Sequence, residues 1–213
     1  MYVTLIPVLE FPKERQQLSL SLLFENKIYI SNSRCKNMQL FLKVIILFLS
    51  SAIPSFSEVG PFSFKSIDGG YLELNDYEGK AILVTNTASR CGFTNQYADL
   101  EKLYRGYQDR GLVVIAVPSN DFNQELSSNS KVKEFCNVSF GLTVPITEVT
   151  TIRGDQAHPF YGWLKREHNF QPKWNFYKVL LDKKGNFHSS FNSFTRPNSP
   201  SLLKVVDEVL KQP

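Results

Sequence analysis

From Phe62 onward the chain carries regular patterns of apolar and polar positions. Phe62-Ser-Phe-Lys-Ser-Ile67 and Tyr71-Leu-Glu-Leu74 alternate and flank Asp68-Gly69-Gly70, which predicts a β-hairpin. Ala81-Ile-Leu-Val-Thr-Asn86 is a continuous apolar run, as a central strand buried on both faces requires. Tyr97, Leu100, Tyr104 and Tyr107 recur at helical spacing, and the pattern ends near Gly111. Leu112-Val-Val-Ile-Ala-Val117 predicts a second buried strand stopped by Pro118. Strand, helix and strand together imply a parallel pair with a right-handed crossover.

A polar loop from Ser119 to Ser130 leads into a short helix expected around Lys131 to Cys136, and another helix is expected from His158 to Glu167. Phe176-Tyr-Lys-Val-Leu-Leu-Asp182 and Asn186-Phe-His-Ser-Ser-Phe191, joined by Lys183-Lys184-Gly185, read as a second hairpin. Ser199 to Leu210 reads as an amphipathic helix with Leu202, Leu203, Val206 and Leu210 on one face. The order is that of an α/β protein of thioredoxin-like fold. It predicts a central mixed sheet flanked by helices, here with an added N-terminal β-hairpin and a middle insertion.

The N-terminal part has a different character. Met38 to Ser57 resembles a secretory signal peptide: Lys43 lies in a short n-region, Val44 to Leu49 form an apolar core, and small residues lead to Ser55-Phe56-Ser57. That core is well short of the roughly 20 residues that span a bilayer. Cleavage after Ser57 would leave Glu58 first, and the alternative is an uncleaved anchor. Residues 1–37 are read as an over-extended gene start with no domain, 38–57 as the signal, and 58–213 as one domain. Export to a periplasm or a secretory lumen is the expectation.

This division changes the reading of charge. The formal charge is +4, but residues 1–57 hold six Lys/Arg and three Asp/Glu, leaving 18 and 17, or +1, for the rest. A nucleic-acid partner therefore loses its main electrostatic argument. Cysteine counting changes too. Cys35 falls in the discarded segment, leaving Cys91 and Cys136. Two cysteines in an exported chain commonly form one structural disulfide, so a catalytic reading needs local chemistry behind it.

Cys91 follows the first buried strand and precedes its helix, the end of an open α/β sheet where ligands gather. A thiol at a helix N-terminus has its thiolate favoured by free N–H groups and the dipole. An unperturbed thiol is only roughly 3% ionised at pH 7. The motif Cys91-Gly92-Phe93-Thr94 lacks the second cysteine that thioredoxin-type exchange needs. His158, His168 and His188 show no metal-ligand spacing, so neither metal nor other cofactor is expected. A lone reactive thiol suits a peroxidase, in which a thiolate attacks an O–O bond and becomes a sulfenic acid.

Three segments then resemble one known family. Asn86-Thr-Ala-Ser-Arg-Cys-Gly-Phe-Thr94 resembles the glutathione peroxidase signature around its nucleophile, Pro118-Ser-Asn-Asp-Phe-Asn-Gln-Glu125 the second motif, and Lys173-Trp-Asn-Phe176 the third. The resemblance spans about Phe62 to Leu210 and implies a catalytic tetrad of Cys91, Gln124, Trp174 and Asn175. The amides and the indole N–H would donate hydrogen bonds to the thiolate and the peroxide oxygens. On residue type alone, Trp174 would be a core aromatic, Asn175 a turn residue and Gln124 part of a solvated loop. The chain departs from the pattern at Ser119 and Asp121, where many members have Cys and Gln. It is also one residue shorter between Phe122 and Gln124.

Cys136 lies where thioredoxin-dependent members keep a resolving cysteine, which implies a disulfide with Cys91 after local melting of residues 119–137. The alternative is a small buried hydrophobe. The resemblance implies a hydroperoxide substrate, thioredoxin or glutathione as the thiol reductant with the dithiol protein favoured, and a monomer. Two other functions stay open at this point. One is a peroxide-driven relay or sensor that passes a disulfide to client proteins; the other is a scaffold with a structural Cys91–Cys136 bridge.

Overall fold

The two apolar runs lie side by side because each must bury both faces. A computed structural model of the chain describes residues 62–212. The signal-peptide, gene-start and Cys35 readings lie outside those residues. Strand β3 (Ala81–Thr87) pairs in parallel with β4 (Leu112–Pro118), Ala81 opposite Leu112 and Thr87 opposite Pro118. Every residue of both strands is buried. The crossover is α1 (Gln96–Tyr107) with a 3-10 turn at Gln108–Arg110. Gly111 ends it at φ 94°, a left-handed value that glycine adopts without a Cβ clash.

The second hairpin completes the sheet. β5 (Lys178–Leu181) runs antiparallel to β3, and β6 (Phe187–Phe191) antiparallel to β5, giving the order β4-β3-β5-β6. Strand alternation then sorts side chains into two layers. Leu83, Val114, Ala116 and Leu180 face one core with residues of α1, of α2 (Asn129–Phe140) and of α4 (Pro200–Lys211). Ile82, Val84, Ile115, Val117 and Val179 face the other, with Phe62, Phe64 and α3 (Pro159–His168). This is the expected thioredoxin-like mixed sheet with flanking helices.

The predicted N-terminal hairpin forms as β1 (Ser63–Lys65) and β2 (Tyr71–Glu73), a separate two-stranded sheet. The segment around Thr147 ties it to β4: Thr147 N–H donates to the Ala116 carbonyl at 3.0 Å, and Glu148 N–H to the Lys65 carbonyl at 2.8 Å.

β4 ends at Pro118 as expected, with the proline as its last residue, where a missing N–H costs the ladder little. Three local expectations need correction. The helix holding Cys136 is twice the expected length, from a Ser128 cap to Gly141 at φ 57°, because polar residues on its open side hide the period. β5 begins two residues late, because Phe176 is left-handed at φ 61° and breaks the extended run. On α4 the buried stripe is Leu202, Val206 and Val209; Leu203 and Leu210 flank it, half-buried.

Candidate active site

Cys91 sits at the carboxyl end of β3 but not on the helix. A turn intervenes, with Thr94 N–H on the Cys91 carbonyl at 3.1 Å, and α1 starts only at Gln96. The helix dipole acts mainly within the terminal turn, so the expected thiol at a helix N-terminus becomes a thiol on a preceding turn. Arg90, its neighbour, is exposed, whereas Cys91 itself is 5% exposed. Neither Cys91 nor Cys136 is in a disulfide.

The second motif reaches this turn through its backbone. Arg90 N–H donates to the Gln124 carbonyl at 2.8 Å, which places Gln124 beside the Ser89–Arg90 peptide unit, one residue before Cys91. Asn123 takes φ 57°, a region that Asn enters more readily than most residues, and so turns the shortened loop without an extra residue. The adjoining Glu125 carboxylate accepts from Ser89 N–H at 3.0 Å and Leu126 N–H at 2.8 Å. Burial pushes its pKa up, opposed by those hydrogen bonds and the Arg90 charge. Asp121 caps the main chain elsewhere, accepting from Ile152 N–H at 2.7 Å and Arg153 N–H at 2.9 Å. A glutamine in its place would lack the charge that strengthens such bonds.

The third motif closes the site. Asn175 is completely buried, and its Nδ2 donates to Gln124 Oε1 at 2.8 Å across 51 positions of sequence. Its Oδ1 is buried without a partner. An unpaired buried acceptor costs about 1–3 kcal/mol. Trp174 is 41% exposed, so it is not a core aromatic; its ring lies 5.2 Å from that of Phe122. Its main chain is held by Asn86, whose Nδ2 donates to the Trp174 carbonyl at 3.1 Å while Oδ1 accepts from Tyr177 N–H at 3.1 Å. Asn86 thus locks the Trp174–Tyr177 segment to the end of β3. Phe176 N–H on the Asn86 carbonyl at 2.6 Å holds the strained residue in place.

Gln124 and Asn175 are therefore brought together beside the turn of Cys91, while the half-exposed Trp174 ring lies against Phe122. Cys136 is in the same apolar cluster as Cys91 but lies on α2 and is fully buried. Burial pushes its thiol up to about 12, with Glu125 adding to the shift and the Tyr97 hydroxyl opposing it. The Tyr97 hydroxyl lies against Cys136 and Thr87 but makes no well-formed hydrogen bond. At neutral pH the folded Cys136 is an un-ionised thiol and a poor nucleophile. Sequence reasoning missed Asn86 and Glu125. Asn86 is the next-to-last residue of a fully buried strand, an unusual place for an amide and a usable signal. Among the described residues, no group of three or more His, Cys, Asp or Glu side chains is placed to hold a metal.

Several known proteins are similar to this chain. The family model for glutathione peroxidase matches residues 59–165. The glutathione peroxidase-like peroxiredoxin GPX5 of Chlamydomonas reinhardtii is 42% identical over 68% of this chain and 94% of its own length. A glutathione peroxidase of Lactococcus lactis subsp. cremoris is 40% identical over 64% of this chain and 90% of its own. The solved structure of apo Trgpx superposes with a TM-score of 0.58 at 32% identity, covering 72% of this chain and 95% of that one. The chain belongs to the glutathione peroxidase family, and with it to the peroxidase oxidoreductases.

Proposed function

We propose that this thiol peroxidase works through a Cys91 sulfenic acid resolved by Cys136 and regenerated by a dithiol protein of the thioredoxin type. One observation carries the first half of the reading. The Gln124 carbonyl accepts from Arg90 N–H, next to Cys91, and its side chain accepts from Asn175, which ties three separated segments together beside the turn that carries the thiol and supports this reading.

The chemistry balances with these groups. The Cys91 thiolate attacks one oxygen of the hydroperoxide; an S–O bond forms, the O–O bond breaks, and water or an alcohol leaves after taking a proton. The second Asn175 amide hydrogen, the Gln124 amide and the Trp174 indole N–H are the donors that would stabilise charge as it develops on the departing oxygen. Cys136 then attacks the sulfenic sulfur; an S–S bond forms, the S–O bond breaks, and water leaves. An external dithiol returns two electrons and two protons by thiol–disulfide exchange.

A disulfide product favours a dithiol donor, since a glutathione enzyme has no use for Cys136. The name of the Chlamydomonas relative, a peroxiredoxin, supports the same choice. The test is hydrogen peroxide consumption with thioredoxin and its reductase, or with glutathione and its reductase, as the electron supply. Faster turnover with thioredoxin is expected. Turnover driven by glutathione alone, unchanged in Cys136→Ser, would reduce Cys136 to a packing residue.

A further inference from the structure

Beneath the site lies a charge that the mechanism above does not use. Lys178, the first residue of β5 and three positions after Asn175, is completely buried. Buried ammonium groups ordinarily face a carboxylate. Here Nζ donates instead to Gln96 Oε1 at 2.5 Å and to the Thr195 carbonyl at 2.6 Å. Nearby Asp99 is already engaged by Arg196, whose Nε lies at 2.7 Å, and by Asn198 Nδ2 at 2.8 Å. Burial pushes the ammonium down to about 7, with Asp99 opposing the shift and Arg196 adding to it. Such an expensive placement needs a structural return.

The two acceptors lead to the active site. Gln96 is the first residue of α1, and its Nε2 donates to the Ser193 carbonyl at 2.6 Å. Ser193 Oγ in turn donates to the Asn175 carbonyl at 2.6 Å. Ser193 and Gln96 are both buried, so water does not substitute freely for these bonds. An amide has an oxygen end and a nitrogen end of nearly equal shape, and its orientation is set by its partners. As an ammonium, lysine only donates, and as a neutral amine it still holds N–H groups for both acceptors. It therefore compels Gln96 to turn its oxygen inward and its nitrogen to Ser193. Without it, the Gln96 amide is free to flip and release the 193–195 segment. The Asn175 carbonyl needs that hold, because the next residue, Phe176, is in a left-handed conformation that bulky residues avoid.

We infer that Lys178 is a positioning residue of the peroxidase site: it orients Gln96 and anchors the 193–195 segment, which through Ser193 Oγ fixes the Asn175 main chain. The inference rests on Asn175 acting at Cys91 as proposed above. Lys178 touches no reacting atom.

The experiment compares Lys178→Met, Ser193→Ala, the double variant and Asn175→Ala with the parent protein. The rate constant for oxidation of Cys91 by hydrogen peroxide and the rate of disulfide reduction by thioredoxin are measured separately, well below each variant's melting temperature. Misplacing a reacting group by a fraction of an ångström to an ångström costs roughly ten- to a hundredfold. Lys178→Met and Ser193→Ala are each expected to slow oxidation about tenfold and to leave reduction unchanged. The double variant is expected to be no slower than the slower single variant, because both break one chain of contacts. A folded Lys178→Met oxidised at the parent rate, or multiplicative losses in the double variant, would overturn the inference, as would a lowered melting temperature alone. If Lys178→Met does not fold, Ser193→Ala decides, and a parent-like rate in it counts against the chain of contacts. A parent-like rate in Asn175→Ala would remove the assignment of Asn175 itself, and the role of Lys178 with it.

Discussion

Replacing Cys91 by serine is expected to lower peroxide consumption at least about a thousandfold, with any donor. The reason is the nucleophile and not the fold. Serine matches the shape of cysteine, and Cys91 is 5% exposed on a turn, so the loop has little cause to rearrange. A hydroxyl is not ionised at neutral pH, and it cannot take up the oxidation that sulfur accepts. What remains in the variant is a site that binds and polarises peroxide without a group to attack it. Removing the nucleophile of a covalent enzyme commonly costs about 10³-fold or far more. The check is stopped-flow mixing of reduced protein with hydrogen peroxide. A Cys91→Ser rate within tenfold of the parent would transfer the role to another group.

The second large effect separates two half-reactions. Cys136→Ser is expected to consume one equivalent of peroxide at the parent rate and then stall, with thioredoxin-driven turnover at least about a hundredfold down. Burial explains the split. With its thiol pushed up to about 12, folded Cys136 holds roughly one part in 10⁵ as thiolate at pH 7. A buried, un-ionised thiol attacks poorly, so the proposed resolution calls for α2 to open and release it. Of the twelve residues of α2 only Val132 and Cys136 are buried, and the Lys133–Asp68 ion pair at 2.6 Å is solvent-exposed and contributes little. Phe135 and Phe140 add ring contacts with Tyr97 at 6.2 and 5.2 Å, so the opening has to break these as well, as a local event short of unfolding the domain. Full thioredoxin turnover in Cys136→Ser would show that the sulfenic acid is reduced directly.

The sheet was legible in the chain because its central strands bury both faces, which leaves runs such as Ala81–Asn86 with no polar alternation. Cys91, Gln124, Trp174 and Asn175 were legible only through resemblance to motifs. Their types alone favour turns, loops and cores, and nothing local brings Gln124 to Asn175. The turn before α1 was missed because helical spacing shows where a helix repeats, not where it begins. The late start of β5 was missed because a left-handed phenylalanine leaves no mark in composition. Lys178 escaped for a related reason. A lysine in Phe176–Leu181 reads as a solvent-facing break in an apolar run, and its partners Gln96 and Thr195 are distant in sequence. Here the structure adds what pairing over long range decides: which polar groups are buried, and what they hold.

The most direct test of the two-cysteine account is mass mapping of the reduced chain, in a Cys35→Ser background, after one equivalent of hydrogen peroxide. The account predicts the loss of two hydrogens, with Cys91 and Cys136 recovered in one disulfide-linked peptide pair, and a sulfenic acid trapped on Cys91 alone when Cys136 is serine. Two free thiols beside consumed peroxide, or oxidation confined to other residues, would contradict it.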